Sequence, residues 1–243
     1  MNPEQTVQQI ATALGASWAS GINLYATILV MGFMDATGAV VLPEGIDYVS
    51  HPLVMVAAGV MFLVEFFADK IPGVDTLWDS LHTFIRIPAG VAMAYGAAEG
   101  MGPVVEMASA ILGGGLSATS HATKAGTRAL INTSPEPLTN WTASVTEDTV
   151  AVAGVWTALT NPWLFLGLLV VFVLIAIWLL PKLWRGIKRV FNFIFRRTPV
   201  EEPVAPSPAV AEGPAPPDPG PVADTSPRLE AAETAPDKDA SSS

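Results

Sequence analysis

The sequence predicts an all-α fold, a polytopic membrane helix bundle of about six spans, and three observations carry that prediction. Charged residues make up only 14% of the 243-residue chain, where soluble domains have about a quarter, and the mean hydropathy is +0.44. Two long apolar runs stand out: Leu53–Phe67 is broken only by Glu65, and Trp163–Leu180 carries no charge. The second, with its flanks, reaches the ~20 residues that cross a bilayer as a helix. Directly after it, Pro181–Arg197 holds six bases, the flank expected where a span ends on the cytoplasmic side.

The spans fall at about Ile10–Met34, His51–Ala68, Pro88–Met101, Pro103–Leu130, Val150–Leu159 with its flanks, and Pro162–Leu180. Pro88–Met101 and the stretch before Thr160 are short for the ~30 Å of hydrocarbon, which makes them re-entrant or broken candidates. The loop Asp35–Ser50 has acids and no base, so it is expected outside, with Lys70, Arg86 and both termini inside. Two further segments read as amphipathic helices lying in the membrane surface. In "VDTLWDSLHTFIR" (74–86) and "KLWRGIKRVFNFIFRR" (182–197) the apolar residues recur at helical period. The first has Asp75, Asp79, His82 and Arg86 on its polar face, expected to be solvated. The second has bases there, suited to anionic headgroups.

The N-terminal segment has no Lys or Arg ahead of its apolar part and carries Glu4, so it reads as retained rather than as a secretory signal. Cysteine is absent, which excludes disulfides and thiolate chemistry. Residues 1–197 form the integral membrane domain. Residues 198–243 hold nine acids, two bases and eleven of the 21 prolines, and read as a disordered cytoplasmic Pro/Ala/acidic tail. His51–Arg86 and Asn161–Arg196 align without gaps at an offset of 110, pairing Pro52 with Pro162, Phe62 with Phe172 and Arg86 with Arg196. An internal duplication, common in transporters, would explain this.

Polar residues placed among apolar ones give the site candidates. "GASWASGINLYATILVMG" (15–32) sets Ser20, Asn23 and Thr27 at i, i+3 and i+7, on one face of a regular helix. "ILGGGLSATSHATKAG" (111–126) repeats the device of small residues followed by hydroxyls. In lipid, small residues let helices approach and hydroxyls bond across the contact, so these two segments are expected in the bundle centre. Glu65 and Asp69 are four apart, with Lys70 following, and His121, Lys124 and Arg128 form a basic stripe. Charge at membrane depth pairs or faces a cavity and is a functional candidate by default. The structural alternative is pairing that locks the bundle, for example Glu65 or Asp69 with Lys124. The candidate binding residues are therefore Ser20, Asn23, Thr27, Glu65, Asp69, Lys70, Asp75, Asp79, His82, Arg86, His121, Lys124 and Arg128, with no catalytic residue, metal ligand or cofactor assigned. Asp75, Asp79 and His82 are metal-ligand types whose spacing matches no specific signature.

"GASWASGINLYAT" (15–27), "ADKIPGVDTLWDSLHTFIRIPAG" (68–90) and "HATKAGTRALINTSPEPLTN" (121–140) resemble the bacterial multi-pass membrane family catalogued as domain of unknown function 4126, over roughly residues 8–195. The resemblance implies a small protein of the bacterial cytoplasmic (inner) membrane, with no implied substrate. It singles out Asn23, Asp69, Lys70, Asp75, Trp78, Asp79, His82, Arg86, His121, Lys124, Arg128, Pro135, Glu136, Pro137 and Asn140.

Three function classes stay open. The first is a small-solute or ion transporter or channel-like protein with a polar site in the bundle interior, favoured by the short spans and the intramembrane charge. The second is a non-catalytic membrane assembly or lipid-organising protein, using the surface helices and the tail. The third is a membrane enzyme acting on lipid headgroups through Asp75, Asp79 and His82. The expected partners are the lipid bilayer, with anionic headgroups at 182–197, and a second copy in a homo-oligomer. Nucleic acid is not expected, because the dense basic segment is amphipathic and follows a span.

Overall fold

The computed structural model describes residues 2–71, 73–133 and 137–195, all within one compact unit, Met1–Thr198. The tail from Thr198 onward, for which disorder is expected, lies outside the described residues, as do Pro135 and Glu136. The fold is built from seven helices, with no strand among the described residues: α1 (Pro3–Ala36), a 3-10 segment (Glu44–Ser50), α2 (Pro52–Ala68), α3 (Val74–Ala97), α4 (Pro103–Ile131), α5 (Pro137–Thr160) and α6 (Pro162–Phe195).

α1 opens on a capping box. The Asn2 side chain accepts from Gln5 N at 2.8 Å and Gln5 Oε1 accepts from Asn2 N at 3.2 Å, with Pro3 following as a preset first residue. From Thr12 to Thr27 nearly every residue is buried, because α1 is the central element and touches all the other helices. Its small residues are what permit that. A Cβ on Gly21 would lie 2.3 Å from the backbone oxygen of Ser117, so α1 and α4 meet backbone to backbone. Serines then stitch the contact. Ser17 Oγ donates to Gly90 O at 2.7 Å, Ser120 Oγ to Trp18 O at 2.7 Å and Ser117 Oγ to Arg86 O at 2.9 Å, tying α1, α3 and α4 together. α5 and α6 close the other side, where Trp18 meets Phe165 and Phe172 edge-on.

The outer surface is apolar. On α6, Trp163, Leu168, Leu174, Ile177 and Trp178 are all exposed, as are Leu53, Leu63 and Phe67 on α2. Such continuous apolar surface is not sustained in water. Two helices, α1 and α6, are long and apolar enough to cross a membrane, or three if the 3-10 segment and α2, bent by 65° from each other, count as one span. The chain is a membrane protein.

Several expected segments take a different form. The surface helix 74–86 and the short span Pro88–Met101 are one continuous helix, α3, which passes through Pro88. Its polar face is not solvated. Asp75, Asp79, His82 and Arg86 are buried, while Leu77, Leu81 and Phe84 point outward, Phe84 at 82% exposure. The charges that interrupted the apolar pattern are the inward face of a helix whose outer face is greasy. Likewise the short stretch Val150–Leu159 belongs to the 24-residue α5, about 36 Å at 1.5 Å per residue and so not too short for a bilayer. The basic segment after Pro181 continues α6 through Phe195 rather than forming a separate surface helix, and Leu183 packs on Gly126 of α4. The two halves of the proposed duplication also differ in form: the first contains the break between α2 and α3, whereas the second is uninterrupted helix through Phe195. At the opposite end, positive φ at Gly100 (81°) and Gly102 (103°) turns α3 back into α4.

Candidate functional site

The charged residues of α2, α3, α4 and α5 converge on one buried network. Arg86 of α3 is fully buried between two carboxylates, with NH2 2.5 Å from Glu65 Oε1 and NH1 2.9 Å from Asp79 Oδ1. Lys124 of α4 reaches Asp69 Oδ2 at 3.0 Å, Glu65 Oε1 at 3.3 Å and Asp79 Oδ1 at 3.6 Å. Arg128, one turn on, grips Glu147 of α5, with NH2 to Oε2 at 2.8 Å and Nε to Oε1 at 3.2 Å, and donates to Asn140 Oδ1 at 2.8 Å. The pairs exist because four-residue spacing puts Lys124 and Arg128, and Glu65 and Asp69, on matching faces. Their desolvation is offset by this mutual pairing and by hydrogen bonds such as Arg128 to Asn140 Oδ1.

His121 joins the network as a neutral ring. Arg86 NH1 lies 3.2 Å from its Nδ1, and a guanidinium can only donate, so Nδ1 accepts. The proton then sits on Nε2, which donates to Thr83 Oγ1 at 2.7 Å.

α1 is broken at this site. Asn23 has φ −146° and ψ 100°, extended values inside the helix. The Ala26 amide, which a regular helix directs to Ile22 O, donates to Asn23 Oδ1 at 2.9 Å. Asn23 is thus an N-cap in mid-helix, starting the second half of α1. The two half-helix ends are matched to charge. Ile22 O, at the C-terminal end of the first half, accepts from Lys124 Nζ at 3.2 Å. Asn23 Nδ2, at the N-terminal end of the second, donates to Asp148 Oδ1 of α5 at 2.8 Å. A cation at a helix C-terminus and an anion at an N-terminus are both favourable. Asn23→Ala is expected to lower stability by about 1–2 kcal/mol through the lost cap, and Asn23→Ser to recover part of it. Melting in detergent reads this, and equal melts for the two variants would contradict the mid-helix cap.

Beside the network α4 and α5 splay around a cleft of ≈ 640 Å³. Trp18, Ile22, Leu138, Val150 and Phe172 make its apolar walls, Thr123, Thr127, Thr142 and Thr146 add hydroxyls, and Lys124 and Glu147 form its charged floor.

A model of the family described as Domain of unknown function (DUF4126) matches residues 10–182. The chain belongs to that family. No curated protein and no solved structure matches it. The part of this DUF4126 chain that matches contains α2 to α5 whole and most of α1, hence every member of the network.

Of the sequence candidates in this DUF4126 protein, Glu65, Asp69, Asp79, Arg86, His121, Lys124 and Arg128 come together, and Asn23 joins them at the break. The others do not. Ser20 bonds Ser117 Oγ of α4 at 3.3 Å, whereas Thr27 bonds back to Asn23 O at 2.8 Å. The kink thus dissolves the single face expected for Ser20, Asn23 and Thr27. Asp75 accepts from Asn132 and from the amides of Gly73 and Thr76, closing the turn before α3. His82 donates from Nδ1 to Trp78 O, accepts from the Tyr25 hydroxyl at 3.0 Å and stacks on Trp78. Asp75, Asp79 and His82 are therefore committed to separate partners, and among the described residues no group of three such side chains could hold a metal. Lys70 sits over the Phe66 ring and donates to Phe66 O. Sequence reasoning missed Glu147 and Asp148. The signal was the helical spacing of Asn140, Ser144, Glu147, Ala151, Val155 and Ala158, which is the buried side of α5.

Proposed function

We propose that this DUF4126 protein is a multi-pass protein of the bacterial cytoplasmic membrane that moves a small solute or an ion through its bundle. The helices cross six times, α2 together with the preceding 3-10 segment making one crossing. The tail is cytoplasmic and the basic end of α6 rests on anionic headgroups. The observation that supports transport is the break in α1 at Asn23, whose two half-helix ends meet Lys124 and Asp148 beside the cleft. Discontinuous helices at mid-membrane, with their ends turned to charge, are how transporters build a site that can open.

Flux into liposomes carrying the purified protein, read with ion-selective and pH dyes and with labelled small solutes, tests this. The expectation is protein-dependent flux that falls on the order of tenfold or more, equivalent to at least ~1.4 kcal/mol, in Lys124→Ala and Asn23→Ala. Flux unchanged by both variants would remove these residues as the site.

A further inference from the structure

We infer that Glu147 is the proton-exchange site of the network, and that the proton is the ion coupled to movement in the cleft. This deepens the transport reading and rests on it. Five acids, Glu65, Asp69, Asp79, Glu147 and Asp148, are gathered with three ion-paired cations, Arg86, Lys124 and Arg128. Lys70, held over Phe66 nearby, still leaves one carboxylate in excess. Buried excess charge is costly, and a carboxylate relieves it by taking a proton. The network has room for one. Glu65 Oε2, Asp69 Oδ1 and Asp79 Oδ2, on side chains no more than 2% exposed, have no hydrogen-bond partner among the described residues.

Glu147 is where a proton enters. Its side chain is 16% exposed, against 2% or less for every other ion-paired member, and it lines the cleft. The charged groups around it are Lys124 and Arg128 from α4, Asp69 from the end of α2 and Asp148 beside it on α5. α1 and α6 bring only Trp18, Ile22 and Phe172 to the cleft. When the carboxylate takes a proton from the water phase, one O–H bond forms and the charge pair with Arg128 is lost. Arg128 NH2 then turns to Asp69 Oδ2, already 3.5 Å away. The Arg128–Glu147 pair is a main polar tie between α4 and α5, so protonation loosens the wall of the cleft. Loss of the proton restores the pair.

The test uses the full chain in lipid nanodiscs. Infrared difference spectra between alkaline and acid pH are expected to contain, among the carboxylic-acid bands of the 22 acidic side chains, one component that is lost in Glu147→Gln and kept in the control Glu4→Gln. The absence of cysteine gives a clean reporter. Thr142→Cys, on the cleft, is expected to react with a thiol reagent about tenfold faster at one fixed alkaline pH when Glu147→Gln is added, as for a two-state opening biased by one lost pair. Where Glu147→Gln does not fold, Arg128→Gln/Glu147→Gln, which strands neither charge, takes its place in both measurements. Carboxylic-acid bands identical with and without Glu147→Gln, or equal labelling rates, would each overturn the assignment. Absent flux with band and labelling as expected would overturn transport and leave the proton site. Solute flux that ignores a pH gradient, with spectra unchanged by Glu147→Gln, would overturn the proton site alone.

Discussion

Arg86→Ala is expected to cost the protein on the order of 3–5 kcal/mol, the range for removing one partner from a buried ion pair. The side chain is completely buried, and its two ends hold Glu65 of α2 and Asp79 of its own helix, with His121 of α4 alongside. Alanine would leave two buried carboxylates facing each other with only Lys124 between them. Lysine is not a substitute, because a single ammonium cannot reproduce the planar fork that reaches three groups at once. Arg86→Ala combined with Glu65→Gln should recover part of the loss by removing one stranded charge. Thermal loss of monodispersity in detergent checks all three variants. A melt for Arg86→Ala within the scatter of surface variants would show that the network carries little of the fold's stability.

The second large effect is steric. Gly21→Ala places a methyl 2.0 Å from Ser120 Oγ and 2.3 Å from the Ser117 carbonyl oxygen. The serine hydroxyl can rotate, but the carbonyl belongs to α4 and cannot. The helices must separate, at about 1–3 kcal/mol for overpacking and more as the Ser120–Trp18 and Ser20–Ser117 bonds stretch. Gly115→Ala is the internal control. It sits on the same α4 with nothing within 4 Å of the added Cβ, so it should be neutral or gain up to about 1 kcal/mol from helix propensity. The same melts decide: equal effects of the two substitutions would mean that α1 and α4 do not meet as closely as the structure has them.

That contrast shows how far the sequence could be read. Gly113, Gly114 and Gly115 form one small-residue run, yet Gly113 meets Ala94 and Ser17, Gly114 meets Val91 and Gly115 faces open space. Composition predicts that some small residues mediate contact, but which ones depends on the rotation of α4. The pairing of Glu65 and Asp69 with Lys124 could be foreseen, because lipid leaves buried charges few other partners. The charges of α3 misled for a physical reason. They lower local apolarity and imitate a water-facing surface, when they are the inner face of a buried ring of acids and bases. The mid-helix break at Asn23 could not be read either, since asparagine is equally at home bonding across two regular helices.

The sequence by itself determined that this is a helical membrane protein, that small residues would bring α1 and α4 together, and that Glu65, Asp69 and Lys124 had to find partners. Those follow from composition and period, which are local. Only the tertiary structure decided that four helices aim their charges at one point, that Glu147 and Asp148 complete the set, and that α1 breaks there. Those outcomes depend on how each helix is rotated and how deep it sits. Rotation and depth are set by backbone contacts between residues far apart in the chain, on which helical periodicity carries no information.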